Sequence, residues 1–404
     1  MPIQENDAAR PRRFESVSTS RRYNKDNISI HESQNVEACS GVLEVLPDNN
    51  YGFLRGINSN FSATPNDVYV SPNIIRTYHL RSGDIITGQM RLLAGTEKYN
   101  SLMLVNTING ERFEDIKDRK AFESLTPIFP DKQIKLETEA TIIATRVIDL
   151  FAPIGFGQRG MIVAQPKSGK TELLKQIAGG ISKNSPEAVL MVLLVGERPE
   201  EVTDMRRNIS GEVIASTFDE SAERQVKISM YALEKAKREV ERGKDVIILM
   251  DSITRFARAC NIITPSSGRV LSGGMEINAL YLPKKFFGAA RNIEDGGSLT
   301  IIATALVDTG SKMDDLIFEE FKGTGNMELK LNRDLADKRV FPAIDVVASG
   351  TRRDDLLLDE KVINKSRVLR RFLIEDKSQE PIDFLIAKMR RTQSNAEFLD
   401  VMSR

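Results

Sequence analysis

An apolar run, Gly160-Met161-Ile162-Val163, leads into Ala164-Gln165-Pro166-Lys167-Ser168-Gly169-Lys170-Thr171, and an amphipathic segment from Leu173 to Ala178 follows. Strand, tight loop and helix in that order constrain this chain more than any other feature, because they are the setting of a phosphate-binding loop. Pro166, Lys167, Ser168, Gly169, Lys170, Thr171 and Glu172 are the residues expected against a nucleotide. A small residue at Gly169 lets backbone N–H groups close around phosphate oxygens, Lys170 reaches the β and γ phosphates, and Thr171 takes a magnesium ion. The usual pattern opens with glycine, and this one opens with Ala164. A loop that merely happens to contain Gly-Lys-Thr is the alternative.

Buried-type strands alternate with helices from residue 141 onward, at 160–164, 189–195, 212–217, 245–250, 299–306 and 343–348. That alternation predicts a parallel sheet with helices on both faces. The strand 245–250 ends in Asp251, where a carboxylate sits beside the phosphate loop and orients magnesium waters; an ordinary helix cap is the alternative. The strand 189–195 runs into Gly196-Glu197-Arg198-Pro199, and Glu197 is the candidate to polarise an attacking water, or else a surface acid. Arg255, one turn after Asp251, either senses a γ phosphate or pairs with an acid. Arg352, in Ser349-Gly350-Thr351-Arg352, is either an arginine finger across a subunit boundary or a surface cation. The helix expected at 221–242 buries Ala222, Val226, Met230, Leu233, Ala236 and Val240, with Lys235, Lys237, Arg238 and Glu239 on its other faces.

Residues 41–108 carry five short strand signals separated by turns, which fits a small OB-fold or cold-shock-like barrel. Tyr51 and Phe53 are two apart on one strand, so both rings share a face. Arg55 is in phase with them, and Tyr69 falls on a neighbouring strand. Aromatics beside a cation make a stacking platform for single-stranded bases; rings sunk in the core are the alternative. Two Gly-rich basic loops, around Arg269 and around Lys312, suit contact with a phosphate backbone, and plain surface loops are equally compatible.

Lys+Arg and Asp+Glu both number 57, so a polyanion must be held by local patches. Two cysteines and two histidines argue against a disulfide framework, a His-based metal site and a Ser-His-Asp triad. No apolar run approaches the roughly 20 residues that cross a bilayer, and a cytoplasmic protein with no membrane partner is expected. Residues 1–40 read as a disordered, partly basic tail and 109–140 as a connector, ahead of an ATPase domain over 141–404 that ends in helices.

Taken in order, Asn50-Tyr51-Gly52-Phe53-Leu54-Arg55, Ala164 to Thr171, Glu197-Arg198-Pro199-Glu200-Glu201-Val202, Asp251-Ser252-Ile253-Thr254-Arg255, Lys285 to Asn292, Glu319 to Leu329 and Ser349-Gly350-Thr351-Arg352 closely resemble the bacterial transcription termination factor Rho family from about residue 41 to 404. The resemblance implies a RecA-like ATPase behind an OB-fold and a homohexameric ring. It implies ATP and Mg2+ as ligands, single-stranded RNA as the track, and RNA polymerase and elongation factors as partners. Residue by residue, it places Lys170 and Lys167 on phosphates and Thr171 and Asp251 at magnesium. Glu197 matches the catalytic carboxylate. Arg255 and Arg352 match positions reaching the γ phosphate, the latter from the neighbouring subunit, and Phe341 matches the residue packed on adenine. Tyr51, Phe53, Arg55 and Tyr69 match the primary RNA site, and Arg269 and Lys312 the pore loops. Gly196 stands where that family usually has Asp, and Gly-Glu-Arg is similar to the catalytic subunits of rotary ATP synthases. Glu172 stands where it tends to have a neutral residue. A rotary or secretion-type hexameric ATPase, and an RNA-binding ring with little hydrolysis, are the competing readings.

Overall fold

A computed structural model describes residues 36–46, 50–56, 60–93, 98–266, 268, 270–375 and 380–402. Five strands close a barrel in the order β1-β2-β3-β5-β4: β1 (Val36–Val45), β2 (Gly52–Arg55), β3 (Val68–Val70), β4 (Ile85–Arg91) and β5 (Ser101–Ile108). The barrel begins earlier than expected. Val36 to Ser40, assigned to the tail, form the first half of β1, and the rest of that proposed tail lies outside the described residues. Leu43, Leu54, Val70, Ile86, Leu102 and Ile108 fill the interior. Gly52 sits where a Cβ would meet the Glu44 carbonyl oxygen at 2.6 Å, so only glycine lets β1 and β2 lie this close.

The nucleotide-domain sheet runs β8-β7-β9-β10-β6-β11-β12. Its strands are β6 (Arg159–Ala164), β7 (Val189–Glu197), β8 (Glu212–Thr217), β9 (Asp245–Asp251), β10 (Ser298–Leu306), β11 (Met327–Lys330) and β12 (Gly350–Thr351). All pairings from β8 through β11 are parallel, and β12 pairs antiparallel on β11. Apolar layers cover both faces, as a parallel sheet needs. The strand expected at 343–348 is absent. Pro342 brings no N–H to a ladder, and within that segment Ile344 makes a single bridge to Leu331. The strand in that region is instead β11, where buried Met327 and Leu329 alternate with half-buried Glu328 and Lys330.

Helices that carry the site are α1 (Lys170–Asn184), α2 (Pro199–Asn208), α3 (Ala222–Glu241), α4 (Ile253–Ile263) and α5 (Lys312–Lys322). The helix α3 starts on a Ser221 cap, whose hydroxyl accepts from Arg224 N, and buries Val226, Leu233, Ala236 and Val240 of the predicted stripe, with Ala222 and Met230 partly buried against the same core. Its charged face is buried as well. Lys235, Lys237, Arg238 and Glu239 are covered because the barrel and the connector dock there. Lys237 pairs with Glu123 at 2.9 Å, Arg238 with Glu241 at 3.1 Å, and Arg81 of the barrel with Glu241 at 3.1 Å. Phe61, between β2 and β3, is buried in the nucleotide-domain core and stacks on Tyr231 at 5.7 Å. The connector is thus stitched into the fold. Its Pro127–Ile128 segment pairs with Arg291–Ile293 at the sheet margin.

Candidate functional site

Ala164 ends β6, and the chain turns through Lys167 (φ 67°) and Gly169 (φ 87°) before α1 begins at Lys170. The Ser168 hydroxyl donates to the Gln165 carbonyl at 2.8 Å and tightens the loop. Left-handed backbone at Gly169 aims N–H groups of the first helical turn into the loop, where the helix dipole favours anions. Thr171 follows in that first turn, half-buried.

Two carboxylates meet this loop from the ends of neighbouring strands. Asp251 ends β9 and Glu197 ends β7, and they are 1% and 2% exposed. Lys170 Nζ lies 2.5 Å from Asp251 Oδ1 and 3.3 Å from Glu197 Oε1. Thr304 Oγ1 donates to Asp251 Oδ1 at 2.7 Å. Burial alone would pull the Lys170 pKa down, but Asp251 and Glu197 carry it above the ordinary lysine value. The ammonium therefore stays charged. Arg255 Nη1 lies 3.0 Å from the same Glu197 oxygen and also donates to the Gly196 carbonyl. Gly196 has φ 66° and sits at a register shift between β7 and β8, where a Cβ would press on Arg255 Cδ at 3.2 Å. Glycine here lets the strand bulge, so that Glu197 points at the loop and Arg255 lies flat against it.

No group of three or more His, Cys, Asp or Glu that could hold a metal occurs among the described residues. The Thr171 hydroxyl and Asp251 carboxylate are hard oxygen donors that fit magnesium arriving with phosphate oxygens and waters.

Phe341 lies over the loop, 48% exposed, with Cε1 3.3 Å from where a Gly169 Cβ would be. It rims a cleft of about 460 Å³ shared with Ile142, Ala144, Ser168, Glu172, Gln176 and Arg390. Ile142 and Arg390 were missed from the sequence. They come from segments far from the loop in the chain, and no local pattern marks them. Gln176 donates to Glu172 at 3.2 Å, so the acid at 172 stands on the cleft's rim.

Arg352 lies elsewhere. It follows β12, whose Thr351 pairs with Met327, and Met327 in turn pairs with Gly160 at the start of β6. The phosphate loop leaves the other end of β6. Arg370 holds the Arg352 segment by donating to the carbonyls of Val346 and Ser349 at 2.7 Å and of Phe151 at 2.8 Å. Burial, then the charges of Arg291 and Arg352, lowers the Arg159 pKa, which marks a cationic edge at this end of the sheet.

On the barrel, Tyr51, Tyr69 and Tyr99 stand half-exposed around Phe53, which is 9% exposed. Ring centroids are 5.8 Å apart for Tyr51–Phe53, 5.4 Å for Tyr51–Tyr69 and 4.9 Å for Phe53–Tyr99. Tyr99 was not read from the sequence, because its place beside the platform depends on how the chain returns into β5. Arg55 departs from the expectation of an open cation. Its side chain is buried, paired with Glu44 and Asp67, with its guanidinium carbon 4.9 Å from the Phe53 centroid. Lys312 is exposed at the start of α5. The loop before it is pinned when Thr309 Oγ1 donates to Asp314 at 2.6 Å, while Arg258 of α4 grips the same carboxylate. Gly273 packs on the Lys312–Met313 backbone, so closely that a Cβ would lie 2.4 Å from Met313 N. Arg269 lies outside the described residues.

A phosphate-binding sheet with two strand-end carboxylates, joined to a barrel with an aromatic face, defines the class: a RecA-like nucleotide-binding protein with a nucleic-acid-binding OB-type barrel. The comparisons agree. The ATP synthase alpha/beta family, nucleotide-binding domain, matches residues 144–351, and the Rho termination factor, RNA-binding domain, matches residues 39–114. The chain is 55% identical over 366 residues to transcription termination factor Rho of Cereibacter sphaeroides, covering 90% of this chain and 86% of that one. It is 53% identical over 367 residues to that of Escherichia coli, covering 90% and 87%. The chain belongs to the transcription termination factor Rho family. In fold it is similar to a type III secretion system ATPase, with TM-score 0.57, 23% identity, and coverage of 69% of this chain and 86% of that one.

Proposed function

We propose that this chain is a transcription termination factor that hydrolyses ATP at the boundaries between copies in a hexameric ring. It uses the energy to move along single-stranded RNA and release RNA polymerase in the cytoplasm. The observation that carries the reading is the Lys170–Asp251–Glu197 cluster in a chain that also bears the Tyr51–Phe53–Tyr69 face.

Lys170 exchanges its carboxylate partners for the β and γ phosphate oxygens. That exchange frees Glu197 to orient and polarise the attacking water, and Asp251 to take part in cation binding. A magnesium ion held by Thr171 and, through waters, by Asp251 would neutralise charge on the phosphates. Arg255, on the same Glu197 oxygen that Lys170 touches, keeps Glu197 in place. Phe341 stacks on the base. Arg352, at the far end of the sheet, serves the site of the next copy. RNA bases dock first on Tyr51, Tyr69 and Tyr99 over Phe53, and the strand then meets Lys312 and Arg269 in the ring's centre. A rotary or secretion-type role shares the nucleotide core but has no use for the aromatic face.

The test is ATP hydrolysis by the intact chain with and without poly-C RNA. The proposal expects turnover to rise at least tenfold with RNA and to vanish in Lys170→Ala. Turnover indifferent to RNA would favour the rotary reading.

A further inference from the structure

The barrel's aromatic face is braced from the nucleotide domain. Glu44 of β1 lies directly opposite Phe53 of β2, and Phe53 opposite Tyr69 of β3, so the three share one row across the sheet. Arg55 runs under this row. Its Nε donates to Glu44 Oε2 at 2.6 Å and its Nη1 to Asp67. Asp67 is further held by Thr64, through its N–H at 2.8 Å and its hydroxyl at 2.9 Å. Two buried carboxylates against one guanidinium leave an excess negative charge. Lys227 of α3 supplies the missing cation, with Nζ 2.7 Å from Glu44 Oε1.

We propose that Lys227, a nucleotide-domain side chain, is a positioning residue for the barrel's base-stacking platform. By taking Oε1 of Glu44, it leaves Oε2 as the one oxygen that Arg55 Nε and Nη2 share, with Nη1 on Asp67. That division keeps the guanidinium beneath Phe53. Without Lys227, Glu44 Oε1 has no cation, so the carboxylate turns to set both oxygens against Arg55 Nε and Nη2, the commoner geometry for this pair, and the guanidinium shifts under the Phe53 ring. A buried carboxylate that loses a partner is costly, so the platform pays through its geometry. The brace is not isolated. Two turns of the same helix fix the segment between β2 and β3: Arg224 donates to the Asn60 carbonyl at 2.7 Å, and Tyr231 stacks on Phe61. Strand binding on the barrel is thereby tied to how the barrel sits on α3, and linkage makes that tie reciprocal.

The inference rests on the reading that the barrel binds single-stranded RNA. Its test uses the full chain and a short fluorescein-labelled oligocytidylate, titrated at several salt concentrations. Lys227→Gln is expected to weaken binding at least fivefold, with RNA-free ATP turnover unchanged and the chain still folded at the assay temperature. The slope of log affinity against log salt should also stay unchanged. A residue touching phosphate itself would lower that slope by about 1. Lys227→Arg should restore affinity. Adding Glu44→Gln to Lys227→Gln rebalances the charge and should recover most of the loss, which also covers the case that the single variant folds poorly. Unaltered affinity in Lys227→Gln, a slope reduced by about 1, or additive losses in the double variant would each overturn the proposal. Failure of the unmodified chain to bind the oligonucleotide would count against the RNA-binding reading instead.

Discussion

Arg352 and Lys170 flank opposite ends of one strand, β6. Arg352 is reached through the Thr351–Met327–Gly160 pairing, and Lys170 lies just past the loop that follows Ala164. Four residues of strand put about 13 Å between those ends, before the loop is counted. One molecule does not bring this guanidinium to its own phosphate loop. Arg352→Ala is therefore expected to lower ATP turnover by about 10³–10⁵-fold while leaving nucleotide affinity within a few-fold. Steady-state turnover and fluorescent-nucleotide binding check the two halves separately.

Glu197 has a different signature. Lys170 and Arg255 share its Oε1, and Glu197→Gln keeps the shape of that contact but loses the charge that polarises water. Turnover should drop by about 10²–10⁴, with ATP bound at least as tightly as in the unmodified chain. A variant that retains a tenth of normal turnover would place the reacting water elsewhere.

The platform makes a prediction that ignores ATP. Tyr69→Ala should cost about 1–3 kcal/mol of single-strand affinity per lost stacking contact, read by fluorescence anisotropy. RNA-free hydrolysis should not change. Phe53→Ala is a poorer probe, because Phe53 is buried and its loss would also disturb the barrel.

Stability should fall with rising pH through one buried acid. Burial drives the Asp149 carboxyl up to about 7, against the pull of the Leu136 and Glu137 N–H groups it accepts from. The folded state then holds a proton that the unfolded chain, with an ordinary carboxyl, has lost. A raised folded-state pKa gives stability that is present at low pH and lost as pH rises through about 7. Between pH 6 and pH 8 the loss should be on the order of 1 kcal/mol. It should be absent in Asp149→Asn, as chemical denaturation at the two pH values would show.

How far the sequence spoke depended on how local each signal was. The phosphate loop, Asp251 and Glu197 were legible because each is a strand end with a chemical group in a fixed place. The helix α3 was legible in its apolar stripe and misleading in its charged face. Lys235, Lys237 and Arg238 look like solvent residues until the barrel and the connector, distant in sequence, cover them. Arg55 misled for the same reason. Period-two spacing put it in phase with Tyr51 and Phe53, but the acids that claim it come from elsewhere, Glu44 on β1 and Asp67 just before β3. The apolar run at 343–348 imitated a strand, and the four-residue alternation of Met327 to Lys330 was too short to stand out. Ile142 and Arg390 reach the cleft only through tertiary packing.

The most direct measurement mixes two inactive proteins. Lys170→Ala and Arg352→Ala are prepared separately, dissociated, combined in equal amounts and reassembled with poly-C RNA, and ATP hydrolysis is followed. If copies share each site, about a quarter of the boundaries in random rings join an intact Lys170 to an intact Arg352, and turnover should rise well above that of either variant alone. A mixture no more active than its parts would contradict the claim that neighbouring copies cleave the nucleotide together.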